Sequence, residues 1–359
     1  MAIIVISFDG VKDMEFEALA DDRKNYPNIA EFKRHALYKG GLKTIFVSNT
    51  YPIHSTISTG KLPKDHGVIS NHVNRIQKWA QLSKYINAET IWDGARKKGL
   101  STAAFLWPVT CGAKIKWNMP EVHILKGQSQ MIENLRQGSF LFQIKAFLKH
   151  GGKLKGLDAV CIDDFTSAAA RDLLKSKRPD LTLIHLVAYD SLCHRFGGKS
   201  KEMDIARKSL DDSLGKISDA AGDRTVLVFS DHAHLDVNET IDLENIFGAE
   251  LYEQCGGSAF FVDIKDNIEN YRWFGRFLTR EEMTESGYAG KAAFGIAAKP
   301  GYCFGSGQVK SNHGYPADYD DYKVFYAVRG KNYKPGAEHG GGFGDVRDIT
   351  AVIKNELGG

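Results

Sequence analysis

Cysteine is scarce in this sequence, and its placement is uninformative for bonding. The five residues Cys111, Cys161, Cys193, Cys255 and Cys303 are odd in number, widely spaced and free of any CxxC pair. That argues against a disulfide framework and fits a reducing cytoplasm. Long apolar runs are missing too, and none approaches the length needed to cross a bilayer. Charge of one sign is not in excess. A formal net charge of +3 is too small to call for a nucleic-acid polymer or an anionic membrane as partner. The densest basic stretch, Arg96-Lys97-Lys98, reads as a solvated helix end. There is no internal repeat and no low-complexity segment. The Gly340-Gly341-Gly342 run lacks the Lys-Ser/Thr of a phosphate-binding loop and reads as a turn before the last helix.

What is present is an ordinary globular composition, 43% hydrophobic and 25% charged over 359 residues, enough to bury a substantial core. The opening run Met1-Ala2-Ile3-Ile4-Val5-Ile6-Ser7-Phe8-Asp9 has no basic leader and no cleavage-type segment. It reads as a first strand and not as a signal peptide, which again places the expectation on the cytoplasm.

Short β-branched runs alternate with amphipathic stretches. The expected strands are Ile3–Phe8, Leu42–Val47, Thr102–Leu106, Leu181–Val187, Thr225–Phe229 and Tyr322–Val328. Helical patterns fall at Asn28–Ala36, His54–Ser58, Thr90–Lys98, Phe140–Leu148, Thr166–Lys175, Ser200–Ala220 and Val346–Asn355. Near-continuous apolar strands separated by helices predict an α/β fold, a mostly parallel sheet with helices on both faces. Residues 110–180 read as mainly helix and loop. Residues 236–312, with short strands at Ala259–Val262 and Ala292–Ala297, read as a small insertion or cap within a single 359-residue catalytic domain.

In an open parallel sheet, ligands bind beyond the carboxyl ends of the strands. The first run ends in Asp9, the second leads into Asn49-Thr50-Tyr51-Pro52, the 181–187 run into Asp190 and His194, and the 225–229 run into Asp231-His232. A further His arrives in Asn312-His313-Gly314-Tyr315. Carboxylates and neutral imidazoles without a thiolate cluster suit zinc, or another borderline divalent metal such as manganese or iron. Six such ligands fit two sites of about three protein ligands each. Two metals about 4 Å apart can clamp the attacking and leaving oxygens of an in-line displacement at phosphorus. Thr50 supplies a hydroxyl beside a helix start, where the helix dipole and metal coordination both favour an alkoxide.

Each residue also has a plain structural reading. An Asp closing a strand is more often a turn residue or cap, and Thr50 alone would be a cap hydroxyl. Asp231-His232 could be a capping pair, and Asp190 with His194 a helix-face pair. Those readings do not predict that all of them fall at strand ends, and the conjunction favours a metal hydrolase.

The same segments carry a family resemblance. Ile6-Ser7-Phe8-Asp9-Gly10, Asn49-Thr50-Tyr51-Pro52 running on to Gly60, Leu62-Pro63-Lys64-Asp65-His66-Gly67 running on to Asn71, Tyr189-Asp190 to His194, Ser230-Asp231-His232 and His313-Gly314-Tyr315 occur in order along most of the chain. The chain thereby resembles the alkaline phosphatase superfamily, in its nucleotide pyrophosphatase/phosphodiesterase (type I phosphodiesterase) branch. The resemblance implies one metal held by Asp190, His194 and His313, and another by Asp9, Asp231 and His232. Thr50, between them, would form the covalent intermediate, and Asn71 would donate to a non-bridging phosphoryl oxygen. Tyr51 would either stack on a nucleoside or pack at the pocket mouth. The implied substrate is a small, nucleotide-like phosphate ester.

Departures bear on the substrate. Ala233-His234 follows Asp231-His232 where the family often has Gly-Met, and Pro316-Ala317-Asp318 follows His313-Gly314-Tyr315. His234 reads as pocket wall, with metal or substrate contact as the alternative. His54, His66 and His185 read as packing or loop residues, and Cys193 as a small packed residue. The rivals are a phosphonoacetate-type C–P hydrolase or a phosphomonoesterase on the same core, and a member that binds metal without turnover. The sequence leaves the oligomeric state open.

Overall fold

A computed structural model describes residues 2–73, 78–155, 158–263, 267–336 and 343–358. The Gly340-Gly341-Gly342 run lies outside them. The first strand, β1 (Ile3–Phe8), is buried along its whole length. Its pleat sends Ile4, Ile6 and Phe8 into one core and Ile3 and Val5 into another. A strand apolar on both faces must be covered on both, and that requirement organises the fold.

The other strands are β2 (Leu37–Leu42), β3 (Thr102–Phe105), β4 (Trp117–Met119), β5 (Leu181–Leu186) and β6 (Thr225–Ser230). After them come β7 (Leu235–Ile241), β8 (Leu251–Cys255), β9 (Ser258–Phe261), β10 (Phe274–Phe277), β11 (Phe294–Ala298), β12 (Gly301–Phe304), β13 (Ser311–Asn312) and β14 (Val324–Arg329). The main sheet has seven strands in the order β2-β14-β6-β1-β5-β3-β4, with β14 antiparallel to its neighbours β2 and β6. A four-stranded antiparallel sheet (β10-β11-β9-β8) and a three-stranded one (β12-β7-β13) are built from residues between β6 and β14.

One face of the main sheet is covered by helices Asp13–Asp21, Pro27–Arg34, Ala159–Ser176 and Met203–Ala221, whose buried side chains join Ile4, Ile6 and Phe8 in one cluster. In the last of these, Met203, Ala206, Leu210, Leu214 and Ile217 recur at helical spacing and are fully buried. The opposite face is covered by Thr50–Thr59, Ile91–Lys97 and Arg347–Glu356 through Ile53, Ile57, Ile91, Trp92, Ile349, Val352 and Ile353. Each fully buried Leu, Ile or Phe contributes about 1.5–3 kcal/mol, so burial against the sheet, rather than helix propensity, holds these helices in place.

The structure corrects the expected strand at Leu42–Val47. The strand is Leu37–Leu42, at the sheet edge, with Leu37 opposite Val328 and Leu42 opposite Val324. Ile45, Phe46 and Val47 are buried without forming a strand, Phe46 and Val47 packing with Phe260 and Tyr288 of the smaller sheet region. Within 110–180 the edge strand β4 adds to the expected helices, helix Asp13–Asp21 lies outside the expected ones, and helix Ala188–Phe196 makes Asp190 and His194 the helix-face pair that their spacing allowed. Among the described residues no helix is long and apolar enough to cross a membrane.

Candidate active site

The order β6-β1-β5 decides what meets at the sheet edge. Phe8 pairs with Leu186 on one side and with Ser230 on the other. The next residues, Asp9, Val187 and Asp231, therefore emerge together. Val187 begins the helix Ala188–Phe196, whose first turn carries Asp190 and whose last carries His194. The segment after β2 crosses the same edge and starts the helix Thr50–Thr59, with Thr50 as its first residue.

Asp9, Asp231 and His232 form one cluster, with donor atoms all within 4.8 Å of one another. His232 Nε2 lies 3.2 Å from Asp9 Oδ1 and 3.5 Å from Asp231 Oδ2. Thr50 Oγ1 lies 3.2 Å from the same His232 Nε2. Asp231 Oδ1 accepts from the Gly10 amide at 3.2 Å and from the His232 amide at 2.9 Å, which turns Oδ2 toward the imidazole. Behind the cluster, His185 Nε2 stands 3.2 Å from Asp9 Oδ2, and His54 Nδ1 donates to the Thr50 carbonyl at 2.9 Å.

Asp190 is the centre of a second group. His194 Nε2 lies 3.3 Å from Asp190 Oδ1, and His313 Nε2 lies 3.9 Å from it. His232 belongs to this group as well, because Asp190, His232 and His313 also bring donor atoms within 4.8 Å. The His232 and His313 rings stand 4.1 Å apart. His234, read from the sequence as pocket wall, instead reaches Asp190 Oδ1 at 2.7 Å.

The electrostatics of the clusters fit divalent cations. Burial and the Asp190 charge push the Asp9 carboxyl up, but His185 and His232 outweigh them and hold it below the usual carboxylate range. Burial, with the Asp9 charge, pushes Asp231 up to about 7. Two carboxylates side by side in a dry site repel each other unless a positive charge joins them. Among the described residues, Asp9 Oδ1 and Asp231 Oδ2 are buried without a hydrogen-bond partner, which is costly for a carboxylate and is relieved by a coordinated ion. The donors, carboxylate and imidazole at short mutual distance, are those a divalent metal takes.

The remaining sequence-derived residues divide. Asn71 accepts the Tyr51 amide at 3.0 Å through Oδ1, which leaves its –NH₂ as a donor. Tyr51 is 1% exposed, donates to Glu121 at 2.9 Å and packs with Val68, Ala80 and Val109, so of its two readings packing matches the geometry. Cys193 is packed in the main core. His66 is buried away from the clusters, bonded to Thr56. Two residues escaped the sequence reading. Asn49 Oδ1 accepts from His313 Nδ1 at 2.9 Å, and the Ser311 carbonyl accepts from His194 Nδ1 at 2.9 Å. No sequence signal marks either beyond standing next to Thr50 or near His313, since the contacts bridge distant segments.

The sequence matches the type I phosphodiesterase / nucleotide pyrophosphatase family over residues 3–299. Venom phosphodiesterase 2 of Crotalus adamanteus is 24% identical over 209 residues, which cover 56% of this chain and 22% of that protein. The chain thus spans about a fifth of the length of that relative. Among solved structures, murine ectonucleotide pyrophosphatase/phosphodiesterase 5 in complex with AMP superposes with a TM-score of 0.68 at 17% identity, over 99% of this chain and 95% of that one. Phosphonoacetate hydrolase of Sinorhizobium meliloti 1021 in complex with phosphonoformate gives 0.70 at 15% identity, over the same shares. At such identities the likeness establishes the fold, a mixed α/β architecture with a mostly parallel central sheet.

Proposed function

The chain belongs to the type I phosphodiesterase / nucleotide pyrophosphatase family, and from that membership we propose that it hydrolyses phosphodiester or pyrophosphate bonds with Thr50 as nucleophile. The observation that carries the reading is Thr50 Oγ1, at the first position of its helix, 3.2 Å from His232 in the Asp9-Asp231-His232 cluster. Asp9, Asp231 and His232 would hold one divalent cation, and Asp190, His194 and His313 a second. Carboxylate and imidazole donors suit zinc. Bound there, such ions supply Lewis acidity toward phosphoryl oxygens and lower the pKa of a neighbouring hydroxyl.

The chain's own groups do the rest. The helix N-terminus at Thr50 stabilises negative charge on Oγ1. Attack of that oxygen on phosphorus forms the Oγ1–P bond as the P–O bond to the leaving alkoxide breaks. Water then adds to phosphorus, the Oγ1–P bond breaks, and Thr50 recovers its proton. Asn71, held by its bond to the Tyr51 amide, presents its –NH₂ to a non-bridging oxygen whose charge grows during attack. The AMP complex of the murine relative supports a nucleotide-like substrate.

The test compares bis-p-nitrophenyl phosphate with p-nitrophenyl phosphate on the zinc-loaded protein and on Thr50→Ala. The proposal expects diester preference, lost with Thr50. Monoester preference, or phosphate release from phosphonoacetate in place of diester cleavage, would replace it with one of the rival activities.

A further inference from the structure

The hydrogen bonds around Asp190 say more than a three-ligand site requires. The Ser311 carbonyl can only accept, so His194 Nδ1 carries the hydrogen of their 2.9 Å bond. The Ser311 hydroxyl donates to the Leu235 carbonyl at 3.0 Å, so its oxygen accepts from His234 Nδ1 at 3.1 Å. Asn49 Oδ1 likewise accepts from His313 Nδ1 at 2.9 Å. In all three rings Nδ1 is the donor, and a neutral imidazole then has its lone pair on Nε2.

Those three Nε2 atoms converge on one carboxylate oxygen, Asp190 Oδ1, at 2.7 Å from His234, 3.3 Å from His194 and 3.9 Å from His313. Lone pairs facing a carboxylate oxygen repel it. A single cation bound by Asp190, His194 and His234, whose donor atoms lie within 4.8 Å of one another, relieves that repulsion. Donors around a tetrahedral zinc at its usual bond lengths stand about 3.4 Å from one another, and the Asp190 oxygen has the His234 and His194 nitrogens at 2.7 Å and 3.3 Å.

Gly10 shows that His234 has been given room to do this. It has φ of +73°, and a Cβ there would come within 2.7 Å of the His234 ring. Any larger residue in this turn would push the imidazole off Asp190. His234 is itself 3% exposed, and with Asp190 and His194 it forms a group whose donor atoms lie within 4.8 Å.

We propose that His234 is a fourth protein ligand at the Asp190 position, added to Asp190, His194 and His313. The inference rests on the two-cation reading above. A further protein ligand strengthens the hold of this position over the three-ligand Asp9-Asp231-His232 position. The two positions are therefore unequal. The Asp190 ion would be the more tightly held of the two, and the Asp9-Asp231-His232 position is the one beside Thr50.

Metal analysis after dialysis against chelators of graded strength tests this without measuring turnover. Wild type, His234→Ala, His234→Asn and His194→Ala are loaded with zinc and their zinc per chain is followed. The Asn side chain keeps a donor for Ser311 while removing the Nε2 ligand, and circular dichroism verifies that each variant is folded. The proposal expects wild type to lose its two ions in separate stages. Both His234 variants should release the tighter one at about 10–100-fold weaker chelation. If His194→Ala loosens the tighter ion while both His234 variants hold it as wild type does, the fourth-ligand proposal is overturned and the two-cation reading stands. A wild type that binds no zinc, or a His194→Ala protein that retains it unchanged, overturns both.

Discussion

Asp163 Oδ1 accepts the Val187 amide at 2.8 Å, joining two segments 24 residues apart. Its other oxygen accepts the Ala188 amide at 3.1 Å. A fully buried carboxylate from the helix Ala159–Ser176 thus satisfies the first amides of the helix Ala188–Phe196, which no side chain of its own caps. It fixes the turn from which Asp190 and His194 project.

Asp163→Ala should therefore leave two buried amides without acceptors. The expected cost is about 1–3 kcal/mol, read as a lower urea midpoint at unchanged m-value. Asp163→Asn, which keeps one carbonyl acceptor, should lose less. An unchanged midpoint in the Ala protein would show that water replaces the carboxylate and that the cap is dispensable.

Thr50→Ala should abolish diester cleavage, by at least about 10⁴-fold, while binding the same amount of zinc as wild type. Thr50→Ser, which keeps a primary hydroxyl at the helix start, should retain part of the activity. Stopped-flow turnover together with metal analysis separates loss of the nucleophile from loss of the site. An Ala variant with wild-type turnover would remove Thr50 from the reaction.

Asn71 serves two roles that substitutions can split. Asn71→Asp keeps an acceptor for the Tyr51 amide but has no donor, whereas Asn71→Ala loses both. If the –NH₂ meets charge that grows in the transition state, both variants should lose about 10²–10³-fold in kcat with little change in KM. Should Asn71→Asp keep full kcat, the residue only positions Tyr51 and Thr50.

The buried His66 predicts an acid limb of stability. Burial drives its imidazole from 6.5 down to about 3. The ring is neutral, with Nδ1 accepting the Val68 amide at 3.2 Å and Nε2 donating to Thr56 Oγ1 at 3.0 Å. Because the unfolded chain takes up the proton first, the contribution is intact above pH 6.5 and is lost as pH falls toward 3. The slope for this group is about 1.4 kcal/mol per pH unit within that window. Unfolding midpoints of His66→Gln against wild type, from pH 7 to 4, should show a flatter decline in the variant. Parallel curves would mean that His66 is not the group titrating.

Much of the fold was legible because its signals are local. Ile3–Phe8 reads as a strand buried on both faces because it is apolar throughout, and Met203–Ala221 as a helix because its apolar residues recur every three or four positions. Leu42–Val47 misled for the converse reason. Ile45, Phe46 and Val47 are apolar because they are buried, but they are buried by packing onto other segments and not by pairing in the sheet. The true strand, Leu37–Leu42, contains Lys39-Gly40-Gly41 and has little intrinsic preference for β structure, yet β14 supplies the pairing.

The candidate site divides in the same way. That Asp9, Asp190, Asp231 and His232 follow apolar runs is a property of the sequence, and a parallel sheet sends all such residues to one edge. Which of them touch is a matter of strand order. Asp9 meets Asp231, and Asp190 lies near enough to act on its charge, because β1 lies between β6 and β5, and residues far apart in the chain carry no local trace of that adjacency. The burial of Tyr51, the tethering of His194 and His234 by Ser311, and the reach of His234 to Asp190 past Gly10 were decided by tertiary packing alone. Patterning along a chain records which side chains must be buried or left at a strand end. Only the folded structure brings distant donors within a few ångströms of one another.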